Sequence, residues 1–249
     1  MPHRPGFSQR TQAVLDGEFG RAPVTAVRSP VRLHIGDSDV APGPEFPLSD
    51  ELDRVSAWWY RYPAPMGTGR LRRALADYYG DVHGLPTEPE QILVAPGATA
   101  GLNTLVHLLC DPGDEVLVPT PAWPLFPGMV RLAGAAPVEV ALHDAVSRLA
   151  PEDVERRLES AVTPRTVALY LNTPNNPAGT LMGEALCRAA LGVAQRHGLW
   201  VISDEAYDGM AYDGRTTPTM AGVDPAAIVV STASKMNRAA GLRVGWIRA

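Results

Sequence analysis

The sequence predicts an α/β fold in which helices cover both faces of a mostly parallel sheet. From about residue 91 onward, short apolar runs rich in β-branched residues alternate with longer stretches of helical period. The run at residues 167–171 is apolar at every position, as expected for a strand with helices on both sides. This alternation is typical of chains that build a parallel sheet.

Seven of the short apolar runs are predicted strands, each bounded by residues that favour turns. They span residues 92–95, 115–119, 138–140, 166–171, 199–204, 228–231 and 243–247. The stretches between them carry apolar residues at the spacing of an amphipathic helix. The predicted helices span residues 99–110, 124–132, 152–160 and 184–197, with a short one at 236–239.

The chain before the first strand has a different character. Residues 1–60 are rich in proline, with a short predicted helix at 11–19 and a loop through 42–47. A turn at 65–69 then opens a predicted helix at 69–79. We expect residues 1–60 to form an N-terminal arm and residues 61–249 to form one large domain.

Charge and composition exclude several classes of function. The chain has 249 residues, with 27 acidic and 22 basic side chains and a net charge of −5. It has no basic strip, so a nucleic-acid partner is not expected. No apolar run is long enough to span a bilayer and none follows the N-terminus, so we expect a cytoplasmic protein without a signal peptide or membrane contact. Cys110 and Cys187 fit buried helix positions, and the histidines lack metal-ligand spacing, so no metal site is expected.

Lys235 is the only lysine in a chain that has 21 arginines. A guanidinium replaces an ammonium in most surface ion pairs, but only a primary amine forms a Schiff base with an aldehyde, after losing its proton. One interpretation of Lys235 is a solvated surface charge, which is the usual state of a lysine. The other is a covalent catalytic site, which the residues at the ends of the predicted strands favour.

Ligands of open α/β sheets bind at the carboxyl ends of the strands, and distinctive residues follow the first two predicted strands. Gly97, Ala98 and Thr99 lead into a helix whose N-terminal amides and dipole suit an anion. An ordinary helix cap by Thr99 explains the same residues. After the second strand, Trp123 either stacks on a flat heteroaromatic ring or belongs to the core.

The ends of the fourth and fifth strands add polar groups. Asn176 could donate to a phenolate oxygen, and its bond to Pro177 is a candidate for cis geometry, although a plain polar turn is the alternative. Asp204 ends the fifth strand, where a buried carboxylate needs a partner such as a protonated pyridine nitrogen. Tyr207, three residues later, could reach an oxygen of the same ring.

The residues after the sixth strand complete a chemically coherent set. The hydroxyls of Thr232 and Ser234 lie beside Lys235, and Arg243 offers a guanidinium suited to phosphate. Together the strand ends supply an amine for an aldehyde, an acid for a pyridinium, an aromatic ring for stacking and a cradle for phosphate.

The chain also carries five short motifs: Gly97-Ala98-Thr99, Asn175-Asn176-Pro177-Ala178-Gly179, Asp204-Glu205-Ala206-Tyr207, Ser234-Lys235 and Gly241-x-Arg243-x-Gly245. With this set, it resembles the pyridoxal-phosphate enzymes of the class I/II aminotransferase family, which share the aspartate-aminotransferase-like fold, fold type I. The resemblance extends over about residues 32–249. It implies that residues 61–249 are the cofactor-binding large domain of that fold.

By this resemblance, Lys235 would hold pyridoxal 5'-phosphate through a Schiff base and later move protons. Asp204 would keep the pyridine nitrogen protonated, and Trp123 would stack on the ring. The 3-hydroxyl oxygen would be bound by Asn176 and Tyr207. The phosphate would be held by the amides of Ala98 and Thr99, the hydroxyls of Thr232 and Ser234, and Arg243.

Two upstream residues and the length of the chain extend the resemblance. Tyr62 matches a tyrosine that reaches the phosphate in the neighbouring subunit's site, which implies a homodimer, although an aromatic residue packed beneath a loop is the alternative. Gly36 matches a glycine near the substrate carboxylate. The sequence ends 14 residues after Lys235. We therefore expect it to lack the family's C-terminal small domain, which usually supplies an arginine for the substrate α-carboxylate.

The resemblance implies an aminotransferase that moves an amino group between an amino acid and a 2-oxo acid. One alternative is a related pyridoxal-phosphate lyase, cyclase or oxidase, because the scaffold does not separate these reactions. Another is a truncated, catalytically silent module that binds the cofactor. A nicotinamide dehydrogenase shares the α/β layout, but the Gly-x-Gly-x-x-Gly turn that it needs after a strand is missing from the sequence.

Overall fold

The computed structural model describes residues 62–249, and these residues contain one seven-stranded sheet. Its strands are β1 Ile92–Ala95, β2 Glu115–Thr120, β3 Ala136–Ala141, β4 Thr166–Asn172, β5 Trp200–Asp204, β6 Ile228–Thr232 and β7 Gly245–Arg248. Their order in space is β1-β7-β6-β5-β4-β2-β3. Strands β2 to β6 pair in parallel, whereas β7 is antiparallel to both β1 and β6. The prediction of a mostly parallel sheet is confirmed.

Helices cover both faces of this sheet, as predicted. The α-helices of the described residues are α1 Gly69–His83, α2 Ala98–Leu109, α3 Leu125–Ala133, α4 Pro151–Glu159, α5 Glu184–His197 and α6 Met220–Val223. Helices α2 and α3 pack on one face, and α1, α4, α5 and α6 pack on the other. The sheet is therefore the middle layer of three.

Alternate residues of the central strands face opposite cores. In β2, Leu117 packs with α4 and α5, whereas Val116 and Val118 pack with α2 and α3. In β4, Leu169 and Tyr170 divide in the same way. All five side chains are buried. Because both faces are covered, these strands are apolar at nearly every position, which is the pattern that predicted them.

The functional edge of the sheet is where β4, β5 and β6 end. Because β7 runs in the opposite direction, its first residue, Gly245, pairs with Thr232, the last residue of β6, and with Ala95, the last residue of β1. The segment that precedes β7 therefore lies at the same edge as the loops that follow the parallel strands.

Most predicted elements match the observed ones to within two residues at each end, but some local predictions were wrong. Residues 236–239 form turns and not a helix, and α1 continues past residue 79 to His83. Arg238 and Arg243 both have a φ of 53°. This left-handed conformation interrupts a helix or a strand, so β7 starts at Gly245 and not at residue 243. Helix α6 was not predicted, because its four residues are too few to give a helical period.

The remaining predictions concern a part of the chain that the structure does not describe. They are the helix at 11–19, the loop at 42–47, Gly36, and the arm over residues 1–60 with its boundary.

Candidate active site

A cleft opens at the edge of the sheet where β4, β5 and β6 end. Ten residues predicted from the strand ends line it: Ala98, Thr99, Trp123, Asn176, Asp204, Tyr207, Thr232, Ser234, Lys235 and Arg243. Four residues that were not predicted complete the lining, namely Leu102, Asn172, Ala206 and Ala240. Tyr62 is fully exposed and is not among the residues of the cleft.

One end of the cleft has the geometry of an anion site. Gly97 precedes α2 with a φ of 83°, and a Cβ on it would lie 2.3 Å from a terminal nitrogen of Arg243. A Cβ on Gly245 would lie 2.6 Å from the backbone nitrogen of Ala98. Glycine at both positions therefore brings a guanidinium against the first turn of a helix. The helix dipole and the guanidinium both favour an anion there.

No side chain caps α2 within the described residues, so the predicted alternative of a Thr99 cap is wrong. Gly97 occupies the cap position and contributes only its backbone. Ala98 and Thr99 border the cleft. Because the cap residue is a glycine, no side-chain oxygen of that residue accepts a hydrogen bond from their backbone amides.

The hydroxyls of Thr232 and Ser234 form one small network beside this anion site. Thr232 Oγ1 donates to the Val244 carbonyl at 2.8 Å and lies 2.9 Å from the Ser234 Oγ. Because Thr232 gives its proton to the carbonyl, the Ser234 hydroxyl is the donor of that pair. The Ser234 amide also donates to Thr232 Oγ1 at 3.2 Å. These bonds tie the end of β6 to the segment that precedes β7.

Asp204 is a buried carboxylate that borders the cleft, with 4% of its surface exposed. Its Oδ2 accepts a hydrogen bond from the Tyr170 hydroxyl at 2.8 Å, and its Oδ1 accepts one from the Ala206 amide at 3.2 Å. Burial raises the pKa of Asp204 to about 6, and the two hydrogen bonds oppose that rise. A cationic group beside it would favour the charged form, so this carboxylate suits a protonated ring nitrogen.

Asn176 and Tyr207 meet near the same carboxylate. Asn176 Nδ2 donates to the Tyr207 hydroxyl at 3.4 Å. The Asn176 backbone amide donates to Asn172 Oδ1 at 2.8 Å, and Asn172 Nδ2 donates to the Asp204 carbonyl at 2.9 Å. The bond between Asn176 and Pro177 is cis, as predicted. Asn172, which the sequence did not single out, thus holds Asn176 in register with the end of β5.

Lys235 and Trp123 occupy the remaining sides of the cleft. Lys235 Nζ lies 5.8 Å from the centre of the Tyr207 ring. Burial raises the pKa of Tyr207, and the charge of Asp204 raises it further, so this phenol stays protonated beside the amine. Trp123 is half-buried and also packs against the core under α2 and α3, so it belongs to both the cleft and the core.

The comparisons with known proteins agree with this geometry. The family model "Aminotransferase class I and II" matches residues 56–249. The chain belongs to this family. It is 37% identical to a probable aspartate/prephenate aminotransferase of Thermus aquaticus, over 75% of this chain and 48% of that protein. It is 31% identical to an aspartate aminotransferase of Geobacillus stearothermophilus, over 82% of this chain and 52% of that protein.

A solved aspartate aminotransferase supports the fold directly. A tetra mutant of the aspartate aminotransferase of Thermus thermophilus is similar to this chain with a TM-score of 0.81 and 32% identity. The similarity covers 99% of this chain and 63% of that one. The chain therefore has the large-domain fold of these aminotransferases, and it spans about half the length of the curated relatives it matches.

Class I and II aminotransferases generally depend on pyridoxal phosphate. Within residues 62–249, no group of three or more histidine, cysteine, aspartate and glutamate side chains is placed to hold a metal ion. In the same part of the chain, no helix combines the length and the apolar character needed to cross a membrane.

Proposed function

We propose that this protein is a pyridoxal-phosphate-dependent aminotransferase, which moves an amino group between an amino acid and a 2-oxo acid. The observation that carries the proposal is that one cleft collects ten predicted residues from the ends of five strands and the segments that follow them. The names of the relatives, which share amino-group transfer, support the same reaction class.

The donor set of the cleft fits each part of pyridoxal 5'-phosphate. Lys235 offers the primary amine that an aldehyde needs, and it is the only lysine of the chain. Asp204 offers a buried carboxylate to a protonated ring nitrogen. Asn176 and Tyr207 offer donors to the 3-hydroxyl oxygen, and Trp123 offers a flat surface to the ring.

The phosphate group fits the anion site of the cleft. The glycine cradle at Gly97 and Gly245 brings the start of α2 and Arg243 together. We propose that the phosphate is held by the amides of Ala98 and Thr99, the hydroxyls of Thr232 and Ser234, and Arg243.

When bound, pyridoxal phosphate supplies an electron sink for the pair that is released as a bond to the substrate α-carbon breaks. Lys235 would contribute the base: once its amine is free, it would be placed to take a proton from the substrate α-carbon and to hold it for transfer. Asp204 holds a proton on the ring nitrogen by its negative charge. Tyr207 and Asn176 fix the orientation by donating to the ring oxygen.

Residues outside the cleft also have proposed roles. We propose that residues 1–60 form an arm, that residues 61–249 form the cofactor-binding large domain, and that Gly36 lies near the substrate carboxylate. We also propose a homodimer in which the exposed Tyr62 reaches the phosphate of the neighbouring subunit. A cytoplasmic location is supported by the two cysteines, which are both unpaired thiols.

Reduction with borohydride tests the covalent step. In protein loaded with pyridoxal 5'-phosphate, reduction is expected to leave a pyridoxyl group on Lys235. Trypsin should then fail to cut after this residue, so the label should appear on the peptide 216–238. Lys235→Arg keeps the positive charge but has no primary amine at this position, so it is the matched control and should carry no label there. A folded wild-type sample without the adduct would contradict the proposal.

Transfer of a labelled amino group tests the reaction class. A ¹⁵N-labelled amino acid and an unlabelled 2-oxo acid are incubated with the loaded protein, and the ¹⁵N is expected in the new amino acid. Release of ¹⁵N-ammonia without an acceptor would instead indicate a lyase. Binding without turnover of any amino acid would indicate a silent module.

A further inference from the structure

Asp204 is supported by a tyrosine that none of the motifs contains. Tyr170 lies on β4, is 1% exposed, and donates its hydroxyl to Asp204 Oδ2 at 2.8 Å. The Ala206 amide donates to the other oxygen, Oδ1, at 3.2 Å. A carboxylate has about four lone-pair sites, so each oxygen keeps the capacity for a further donor.

A second aromatic ring fixes the position of that hydroxyl. The rings of Tyr170 and Phe126 are stacked, with centroids 3.6 Å apart and an angle of 12° between their planes. Phe126 belongs to α3 and is fully buried. Because the tyrosine ring is held flat between the sheet and α3, its hydroxyl has little freedom to turn away from Asp204.

The direction of this hydrogen bond is also fixed. Burial raises the pKa of Tyr170 well above its ordinary value, and the charge of Asp204 raises it further. The phenol therefore keeps its proton while Asp204 is charged, and it is the donor of this hydrogen bond.

We propose that Tyr170 is a positioning residue for Asp204: its hydroxyl orients the carboxylate and stabilises its negative charge, so that Asp204 can pair with the ring nitrogen of the cofactor. This inference rests on the proposed function, which gives Asp204 a ring nitrogen to bind. Tyr170 is absent from the lining of the cleft, so it acts through Asp204 and not by touching a ligand there.

The Tyr170 hydroxyl opposes the effect of burial on the pKa of Asp204. Two phenols face Asp204: Tyr170 from β4, and Tyr207 from the loop that follows β5. The hydrogen bond from Tyr170 lowers the pKa of Asp204, which burial has raised to about 6. Without that bond, Asp204 would bind its own proton more tightly and would hold the proton of the ring nitrogen less well.

Tyr170→Phe tests this role, because it removes the hydroxyl and keeps the ring that stacks on Phe126. In the cofactor-free protein, the midpoint for titration of Asp204 is expected to rise by about one pH unit, which is a tenfold change in proton affinity. The midpoint is measured by ¹³C NMR of the side-chain carboxyl carbon, assigned from its loss in Asp204→Asn. The Kd for pyridoxal 5'-phosphate, measured by fluorescence quenching, is expected to rise about tenfold.

Tyr79→Phe is the matched control. Tyr79 is also 1% exposed, and its hydroxyl accepts a hydrogen bond from Trp246 Nε1 at 3.1 Å, away from the cleft. This variant loses an equally buried hydroxyl and should leave both the Asp204 midpoint and the Kd unchanged. An unshifted midpoint in Tyr170→Phe, or an equal shift in both variants, would overturn the inference.

A second variant covers the case in which Tyr170→Phe does not fold. Phe126→Leu keeps the hydroxyl and removes the ring that fixes it, so the midpoint should rise by less than in Tyr170→Phe; no shift would refute the inference. The two proposals also fail differently. If the wild type does not bind pyridoxal 5'-phosphate, the proposed function fails, whereas the NMR midpoint still decides whether Tyr170 acts on Asp204.

Discussion

Asp204, the last residue of β5, and Asp208, in the loop that follows it, are two buried carboxylates whose surroundings shift their pKa values in opposite directions. Asp208 accepts hydrogen bonds from His83 Nε2 at 2.7 Å, from the Tyr78 hydroxyl at 2.8 Å and from the Thr217 hydroxyl at 2.5 Å. Burial by itself would raise the pKa of Asp208, but these donors lower it below its ordinary value. The pKa of Asp204 is raised to about 6.

The difference separates a structural carboxylate from one suited to a ligand. Asp208 joins α1, through His83 and Tyr78, to the loop that carries Tyr207, and its charge is stabilised by the chain itself. Asp204 faces the cleft, and two hydrogen bonds do not offset the cost of its burial. A carboxylate that its own protein leaves destabilised is the one that a cationic ligand can stabilise.

The largest expected difference between substitutions of Asp204 and Asp208 is in kcat. Asp204→Asn should keep the cofactor bound but lower kcat by about 10³–10⁴-fold, or about 4–5.5 kcal/mol in activation free energy, because the ring nitrogen loses its counter-charge. Folded Asp208→Asn should lose far less activity per molecule. The check is steady-state kinetics with saturating amino acid and 2-oxo acid. Near-normal turnover in Asp204→Asn would mean that the pairing with the ring is misassigned.

The next largest effect is on the free energy of unfolding, where the substitution of Asp208 matters most. Asp208→Asn should lower the free energy of unfolding by about 3–5 kcal/mol, because it leaves His83 buried without its charged partner. Urea unfolding of the cofactor-free protein measures the loss. Asp213→Asn is the control: Asp213 pairs with Arg215 on the surface, and its loss should have no measurable effect. Equal losses in the two variants would remove the distinction between the buried and the exposed pair.

The pH dependence of stability should have opposite signs at the two sites. The raised pKa of Asp204 means that the folded wild type carries a penalty that starts above the ordinary pKa and is complete above about 6. Asp204→Asn has no such penalty, so its stability relative to wild type should improve between pH 4 and pH 7, by on the order of 2–3 kcal/mol.

At Asp208 the lowered pKa has the reverse consequence. The stability that its charge contributes is present above the ordinary pKa and is lost as the pH falls through the depressed one. The disadvantage of Asp208→Asn should therefore shrink in acid. In unfolding midpoints of the cofactor-free variants measured from pH 3 to pH 7.5, Asp204→Asn should gain stability relative to wild type as the pH rises, and Asp208→Asn should lose it. Parallel curves for all variants would contradict both assignments.

The smallest expected effect divides the contacts of Asp208. Tyr78→Phe removes one of its three donors and should cost about 1 kcal/mol of unfolding free energy, without affecting the His83 contact. Urea unfolding beside Asp208→Asn gives the comparison. A loss as large as that of Asp208→Asn would show that the tyrosine, and not the histidine, carries most of the stabilisation.

The sequence predicted the strands and long helices, and it predicted the residues at the strand ends that line the cleft. The strands were predictable because helices cover both faces, so their residues are apolar in continuous runs. The lining of the cleft was predictable because parallel strands bring their carboxyl ends to one edge, as for Asn176, Asp204 and Thr232. The failed helix at 236–239 contains Arg238, whose φ is positive, and a spacing pattern does not register such a conformation.

The residues behind the cleft could not be predicted in the same way. Tyr170 and Phe126 occupy apolar positions of a buried strand and a helix, and no spacing distinguishes a supporting aromatic from an ordinary core residue. His83 and Asp208 lie 125 positions apart, so their contact exists only in three dimensions. Tyr62 stays a prediction, because its suggested partner is another subunit.

The contact between Gly97 and Gly245 has a consequence for how the protein is assembled. The two glycines lie 148 positions apart in the chain, and they meet only when β7 has inserted between β1 and β6. Arg243 reaches the first turn of α2 through the same insertion. An anion bound between Arg243 and the first turn of α2 contacts two segments that are distant in the sequence. By mass action, such an anion favours the molecules in which β7 has inserted.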